Sequence, residues 1–408
     1  MRILLFTEHL PTVDNYRGPS SLGFYLLKPL MKEHEIKVIT TNSNKVPSNL
    51  ILKAEKSLGI KYHIIPRNLW TKFLVSHKTG FLFTPFLGNK YGYLSRYTLP
   101  SKALNIVKEY QPDLVLVYPS YLISVVEQLK KYKIGVIGPD CAVQTINRFL
   151  SDGYAYQSNR VKEWLSTFMN QLNIERKLAQ LGKPVFLVGQ SDANFFNMAT
   201  QSKVAHFLPH PHFGVQSKEI KFSQDKLSVI ISGAYDSATY TDATLMVESL
   251  MENGDKVKNY SFTFLGKSWK PLVDKLNSFC DVKYIGWVED YCEELLKHDI
   301  QIVPISFGSG TKGKVLDAMA HGLLCIGSYY AMENIACKQK ETCLIYESAT
   351  EIPDILEDIY KNRLHYMEVA EKGRQYVLKY HNPAFCSKVL LDTCFNGQCN
   401  YDSTVYYK

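Results

Sequence analysis

Apolar and polar positions alternate along this chain in a rhythm that is stated once and then restated. The first half opens on an apolar run, Arg2 to Thr7, followed by a polar loop and a helical pattern from about Leu22 to Lys32. A second apolar run, Glu35 to Thr41, comes next. Runs of this length suit strands buried on both faces, and strand, loop, helix, strand in that order makes a βαβ unit. Further strands are predicted at Asp113 to Tyr118, Ile134 to Ile137 and Val185 to Val188. The second half predicts strands at Leu227 to Ser232, Ser261 to Leu265, Val282 to Ile285, Ile300 to Pro304 and Leu323 to Ile326, with helical patterns between them. Ile352 to about Thr393 reads as helical. The fold class is therefore α/β, with two Rossmann-like domains, each built on a parallel sheet covered on both faces.

The stretch Leu208-Pro209-His210-Pro211-His212-Phe213-Gly214 divides the halves, because prolines at that spacing make a stiff, extended connector. The expected domains are 1–210, 211–380 and a C-terminal helix and tail, 381–408, returning to the first domain. A length of 408 residues suits two domains. Residues 51–100 break the rhythm. They carry eight Lys/Arg and one acid, Glu55, interleaved with Tyr62, Trp70, Phe73, Phe81, Phe83, Phe86, Tyr91, Tyr93 and Tyr97. Too aromatic for a disordered linker, this segment reads as an insertion over about 45–105, packed on the first domain.

Charge changes the picture more than composition does. Residues 1–200 hold 25 Lys+Arg against 13 Asp+Glu, and residues 201–408 hold 22 against 26. A basic first half points to an anionic partner, or simply to a soluble basic surface. The nine cysteines form no Cys-x-x-Cys pair, and several lie in apolar runs such as Leu323-Leu324-Cys325-Ile326. They read as buried thiols of a reducing compartment, so a cytoplasmic location is expected. The apolar N-terminus is cut short by Glu8 and His9, which argues for a buried strand and against a signal peptide. No apolar run reaches the ~18 residues that a membrane span needs.

The chemistry concentrates in Pro304-Ile305-Ser306-Phe307-Gly308-Ser309-Gly310-Thr311-Lys312-Gly313-Lys314-Val315-Leu316-Asp317. A buried strand ends at Pro304, a glycine and serine loop follows, and a helix is expected to begin near Thr311. Glycines let the backbone approach a ligand, and the first amides of a helix favour an anion. Lys312 and Lys314 add positive charge, and a diphosphate is the natural occupant. Asp317, one turn further in, can accept hydrogen bonds from a ribose diol. The plainer reading is a capped helix with solvated lysines.

This stretch resembles the donor-site signature of retaining glycosyltransferases of the GT-B fold, in glycosyltransferase family 4. There a Pro, a Gly/Ser-rich loop and a Lys-x-Lys start precede Leu-Glu-Ala-Met-Ala-x-Gly. Here Asp317 replaces the Glu, and Ser309 stands where the family has a further Glu. The strand Val282-Lys283-Tyr284-Ile285-Gly286-Trp287-Val288 is similar to the family's base-binding segment. After Ser232-Gly233 the family often has an Arg and a Lys, whereas this chain reads Ala234-Tyr235-Asp236-Ser237-Ala238. The resemblance covers 281–330 most closely and 1–40, 111–120 and 185–212 by strand spacing.

The resemblance implies a nucleoside-diphosphate sugar as donor, with Gly308, Ser309, Gly310, Thr311, Lys312, Lys314 and Gly233 around the diphosphate. Asp317, Trp287 and Val288 are expected at the ribose and base. The acceptor is expected in the first domain, across a cleft, with Asp140 and His9 as candidate catalytic groups and Arg17 and Ser20 on the acceptor side. His210 and His212 read as a hinge turn. Retention of configuration is implied, with neither a resident cofactor nor a metal, since the lysines and the helix N-terminus take a divalent ion's part. The acceptor is expected to be a polymeric or lipid-linked glycan. The basic-aromatic insertion suits an anionic membrane surface, making the protein peripheral there. It also suits DNA, as in viral DNA-modifying enzymes of this general fold, which would place the protein in a host cytoplasm. A sugar-nucleotide epimerase and a non-catalytic sugar-nucleotide-binding subunit are the remaining alternatives.

Overall fold

The computed structural model describes residues 1–13, 20–67, 92, 94–151, 161–212 and 219–407. The chain divides into two compact units. Unit 1 comprises 1–147, 159–211 and 383–401, and unit 2 comprises 148–158, 212–382 and 402–408.

Unit 1 is a seven-stranded parallel sheet in the order β3-β2-β1-β4-β5-β6-β7. Its elements are β1 (Arg2–Thr7), α1 (Ser21–Leu30), β2 (Glu35–Thr40), α2 (Ser48–Leu58), β3 (Tyr62–Ile64), α3 (Ser101–Tyr110) and β4 (Leu114–Tyr118). They continue as α4 (Ile123–Gln128), β5 (Ile134–Gly138), α5 (Ala142–Ser151, counted with unit 2 from Arg148 on), α6 (Val161–Gln180), β6 (Val185–Leu187), α7 (Gln190–Thr200) and β7 (Ala205–Phe207). The central strands are apolar throughout because helices cover both faces. Leu4, Phe6, Val115 and Val117 point to one core layer, and Ile3, Leu5, Leu114 and Leu116 to the other. Strand order reverses between β1 and β4, and in open α/β sheets ligands bind beyond the strand C-termini at such a switch point.

Unit 2 is a six-stranded parallel sheet, β10-β9-β8-β11-β12-β13. Its strands are β8 (Leu227–Ser232), β9 (Tyr260–Leu265), β10 (Asp281–Ile285), β11 (Ile300–Val303), β12 (Leu324–Gly327) and β13 (Leu344–Ile345). Its helices include α8 (Tyr240–Glu252), α9 (Gly254–Val257), α10 (Lys270–Leu276), α11 (Tyr291–Leu295), α12 (Gly313–Ala320), α13 (Tyr329–Met332), α14 (Ile352–Lys361) and α15 (Arg363–Tyr380). Here the switch point lies between β8 and β11. After α15 the chain enters unit 1 as α16 (Pro383–Asn396), which packs on α1 with Ser387 Oγ donating to Leu26 O at 2.8 Å. It then returns to unit 2, where Tyr406 bridges antiparallel to Ala336.

The predicted strands and the C-terminal helices are present, with ends shifted by a residue or so. Three strands were not foreseen, β3, β7 and β13, and all are short. The segment 51–100 contributes α2 and the edge strand β3 to unit 1, so this part of it is sheet and helix of the domain itself. Trp70, Phe73, Phe81, Phe83, Phe86, Tyr91 and Tyr93 lie outside the described residues. Among the described residues, no helix is long and apolar enough to cross a membrane.

Candidate functional site

Three loops meet at the switch point of unit 2. The first follows β8, where Gly233 has φ 115°, a region that glycine alone enters without strain. The second follows β9. A Cβ at Gly266 would stand 1.9 Å from Gly233 O, so the two loops touch backbone to backbone. Trp269 Nε1 donates to the same Gly233 oxygen at 2.8 Å and fixes it from beneath. The third is the glycine loop after β11. Ser306 ties it to its neighbours: its N–H donates to Ala238 O at 2.8 Å, and its Oγ accepts from Asp242 N at 3.0 Å. Gly310 takes φ 65°, and α12 begins at Gly313 with Lys312 at its cap position, two residues later than predicted.

Both lysines of the expected Lys-x-Lys start line this loop. Lys312 Nζ donates to Ser309 O (2.7 Å) and Gly310 O (3.1 Å), folding back over the loop that carries it. Lys314 Nζ donates to Ser232 O at 3.1 Å, and a Cβ at Gly233 would lie 2.7 Å from that nitrogen. Burial lowers the Lys314 ammonium from 10.5 to about 8; Asp236 opposes the shift and Lys312 adds to it. Two cationic side chains and the start of a helix thus converge on the carbonyl rims of two glycine loops, an environment short of negative charge.

Asp317, on the next turn of α12, has a side chain 33% exposed. Its Oδ1 accepts from His212 Nε2 at 2.8 Å, and its backbone oxygen lies 2.6 Å from His321 Nδ1. His212, expected in a hinge turn, is within unit 2 the partner of Asp317. Trp287, after β10, is 78% exposed, and Val288 beside it is half-buried against the core below α12. Gly308, Ser309, Gly310, Thr311, Lys312 and Gly233 are therefore gathered on adjacent loops, Lys314 and Asp317 lie on α12, which follows the last of those loops, and Trp287 and Val288 follow the edge strand of the same sheet.

Sequence reasoning missed the groups that hold the glycine loop from outside. Arg148, part of unit 2, forks onto the buried Glu333 carboxylate at 2.6 and 2.7 Å and donates to Gly308 O at 2.5 Å. Asn334 Nδ2 donates to Gly310 O at 3.2 Å, while its own N–H is bound by Tyr407 O at 2.8 Å. Ser232 Oγ joins Tyr291 Oη (2.7 Å) and Gln301 Nε2 (3.0 Å) under Lys314, and burial raises the Tyr291 phenol well above its usual range.

In unit 1, His9 follows β1 at that sheet's switch point, with Nδ1 3.3 Å from Ser43 Oγ. Beside it Glu8, buried, is paired with Arg67 and accepts from Tyr121 Oη, a cluster the sequence did not suggest. Asp140 follows β5. The next residue, Cys141, is anchored by its N–H to Asp192 Oδ1 at 2.8 Å and by Sγ to Glu175 Oε2 at 3.3 Å. Burial, the largest influence, raises the Glu175 carboxyl to about 8. Ser20 is buried at the start of α1, its Oγ 2.9 Å from Thr12 Oγ1, and Arg17 lies outside the described residues. Among the described residues no group of three or more His, Cys, Asp or Glu side chains could hold a metal ion.

Residues 228–362, covering all three loops, match the family described as "Glycosyl transferases group 1". No curated protein matches the sequence. Solved structures match over nearly the whole chain. Anabaena Alr3699/HepE in complex with UDP superposes with a TM-score of 0.63 at 10% identity, covering 96% of this chain and 99% of that one. Sucrose-phosphate synthase from Thermosynechococcus elongatus gives 0.65 at 13% identity, over 97% and 100%. A glycosyltransferase from Rickettsia africae gives 0.62 at 13%, over 97% and 98%. At such identities the likeness establishes the fold, and that fold is GT-B.

Proposed function

We propose that this chain is a group 1 glycosyltransferase of the GT-B fold that moves a sugar from a nucleoside-diphosphate sugar to an acceptor hydroxyl, with retention and without a metal. The observation that carries the reading is the convergence of Lys312, Lys314 and the start of α12 on the two glycine loops of unit 2. When the bond from the anomeric carbon to the diphosphate oxygen breaks, negative charge grows on the leaving group. Preorganised cationic and dipolar groups stabilise that charge where it develops, which is what a divalent ion does in other transferases. In this reading Gly308 to Thr311 and Gly233 line the diphosphate, Asp317 receives the ribose, and Trp287 and Val288 flank the base. UDP is the ligand of Alr3699/HepE, which makes UDP-sugars the first donors to test.

His9 and Asp140 follow strands of unit 1, and we assign them to orienting the acceptor hydroxyl, with Ser20 and Arg17 nearby in sequence. The excess of 25 basic over 13 acidic residues in 1–200 supports an acceptor with an anionic setting, a lipid-linked glycan at a membrane surface. A thermal-shift panel of UDP, GDP, ADP, TDP and CMP tests the donor half. A ligand at a hundred times its dissociation constant raises stability by roughly 2.7 kcal/mol. A shift for one diphosphate supports the reading and names the base; none for any of them removes it. Acceptor-dependent release of that diphosphate then separates a transferase from an epimerase, which isomerises the donor, and from a binding subunit, which does neither.

A further inference from the structure

The contact between His212 and Asp317 has a geometry that goes beyond a passing hydrogen bond. A carboxylate can only accept, so the proton on the 2.8 Å contact sits on His212 Nε2. The other ring nitrogen, Nδ1, is buried and has no hydrogen-bond partner among the described residues. The backbone of His212 is held as firmly as its ring. His212 N donates to His381 O at 2.7 Å, and the fully buried His381 imidazole accepts from Ala336 N at 3.0 Å. Pro211 restricts the chain just before it. His212 is thus a stationary donor aimed at one oxygen of a carboxylate whose other side is open, the Asp317 side chain being 33% exposed.

We infer that His212 is a positioning residue for donor recognition: it occupies Asp317 Oδ1 and so presents Oδ2, in one fixed orientation, to a single hydroxyl of a ribose. The inference rests on the reading of Asp317 as the ribose acceptor. A free aspartate side chain rotates about two torsions. Locking it before the ligand arrives removes that ordering from the binding step, as outer-sphere partners do for metal ligands and catalytic groups. The expected consequence is selectivity for ribose over sugars lacking the diol, and its dependence on an N–H at the place of His212 Nε2.

The experiment uses the full chain and calorimetric titration with UDP, GDP and ADP, each against its 2′,3′-dideoxy counterpart. The protein variants are His212→Met, His212→Gln and Asp317→Asn, each checked for its melting temperature. The native chain is expected to prefer the ribose form of its nucleotide by roughly tenfold or more, the range of a hydrogen bond to a charged group. His212→Met, similar in bulk but without a donor, should lose most of that preference while binding the dideoxy form as before. His212→Gln, which places an N–H near the same point, should retain it. In turnover, His212→Met should raise KM with kcat little changed. Should His212→Met melt early yet discriminate as the native chain does, while Asp317→Asn does not, the histidine is structural and the inference falls with the donor reading intact. Should Asp317→Asn keep full discrimination, or the native chain bind none of the three nucleotides, the ribose reading itself falls.

Discussion

In the proposed reading Lys314 must be charged to hold a diphosphate, yet it sits where charge is disfavoured. Its ammonium group is lowered to about 8, against 10.5 for an ordinary lysine, chiefly by burial. The sign of the linkage follows. Below about pH 8 the folded chain carries the buried charge and bears its full desolvation penalty. Between about 8 and 10.5 the folded chain releases this proton before the unfolded chain does, and the penalty is relieved. A bound diphosphate favours the charged form, so in the same window binding takes up a proton and weakens as pH rises. Titrations at pH 8.5 in two buffers of different ionisation enthalpy should reveal that uptake, and Lys314→Ala should abolish it. The same variant should weaken diphosphate binding by about 1.5–3 kcal/mol. Equal affinity in Lys314→Ala and Lys312→Ala would remove both lysines from the site.

At the scale of elements, the loops after β8 and β9 behave as one object. Gly266 (φ 126°) leaves no room for a side chain, since its Cβ would meet Gly233 O at 1.9 Å. Gly266→Ala is therefore expected to push the Gly233 loop off Lys314 and Trp269. The expected stability loss is about 1–3 kcal/mol, read from the urea midpoint, with a parallel loss of nucleotide binding. Gly254→Ala is the control. Its Cβ would meet nothing closer than Phe279 O at 3.8 Å, and a change within about 0.5 kcal/mol is expected. The same scale explains what the sequence made legible. β1 and β8, six residues each, stand out because buried parallel strands are apolar without interruption. Tyr62-His63-Ile64, Ala205-His206-Phe207 and Leu344-Ile345 are too short to form such a run and join their sheets only through neighbours already in place. The glycine loop was readable because its chemistry is contiguous. His212, Arg148 and Asn334 were not, because each acts across 105, 160 and 24 residues of chain, and no local pattern encodes a partner that distant.

At the scale of the molecule, each unit is assembled from separated stretches of chain. Unit 2 closes only with residues 402–407, although its main body ends at Asn382. Tyr406 is 1% exposed, donates to Tyr380 O at 2.7 Å and lies edge-on to the His381 ring. Beside it Tyr407 exchanges backbone hydrogen bonds with Asn334 and Ile335, the segment that reaches Gly310. Tyr406→Ala should destabilise unit 2 by about 3–5 kcal/mol. Hydrogen exchange should quicken at Gly308 to Gly310 more than in β1 or β4; uniform exchange across both units would show that the tail does not brace the loop. The returning tail also sets an order in time. A ribosome adding roughly 5–20 residues per second delivers the body of unit 2 first, and then the stretch 383–401, which belongs to unit 1. Only the residues after those can pair with Ala336 and brace Asn334. A nascent chain therefore carries its glycine loop unbraced until the stretch that completes unit 1 has been made, and the unit with the lysines is the last to be completed.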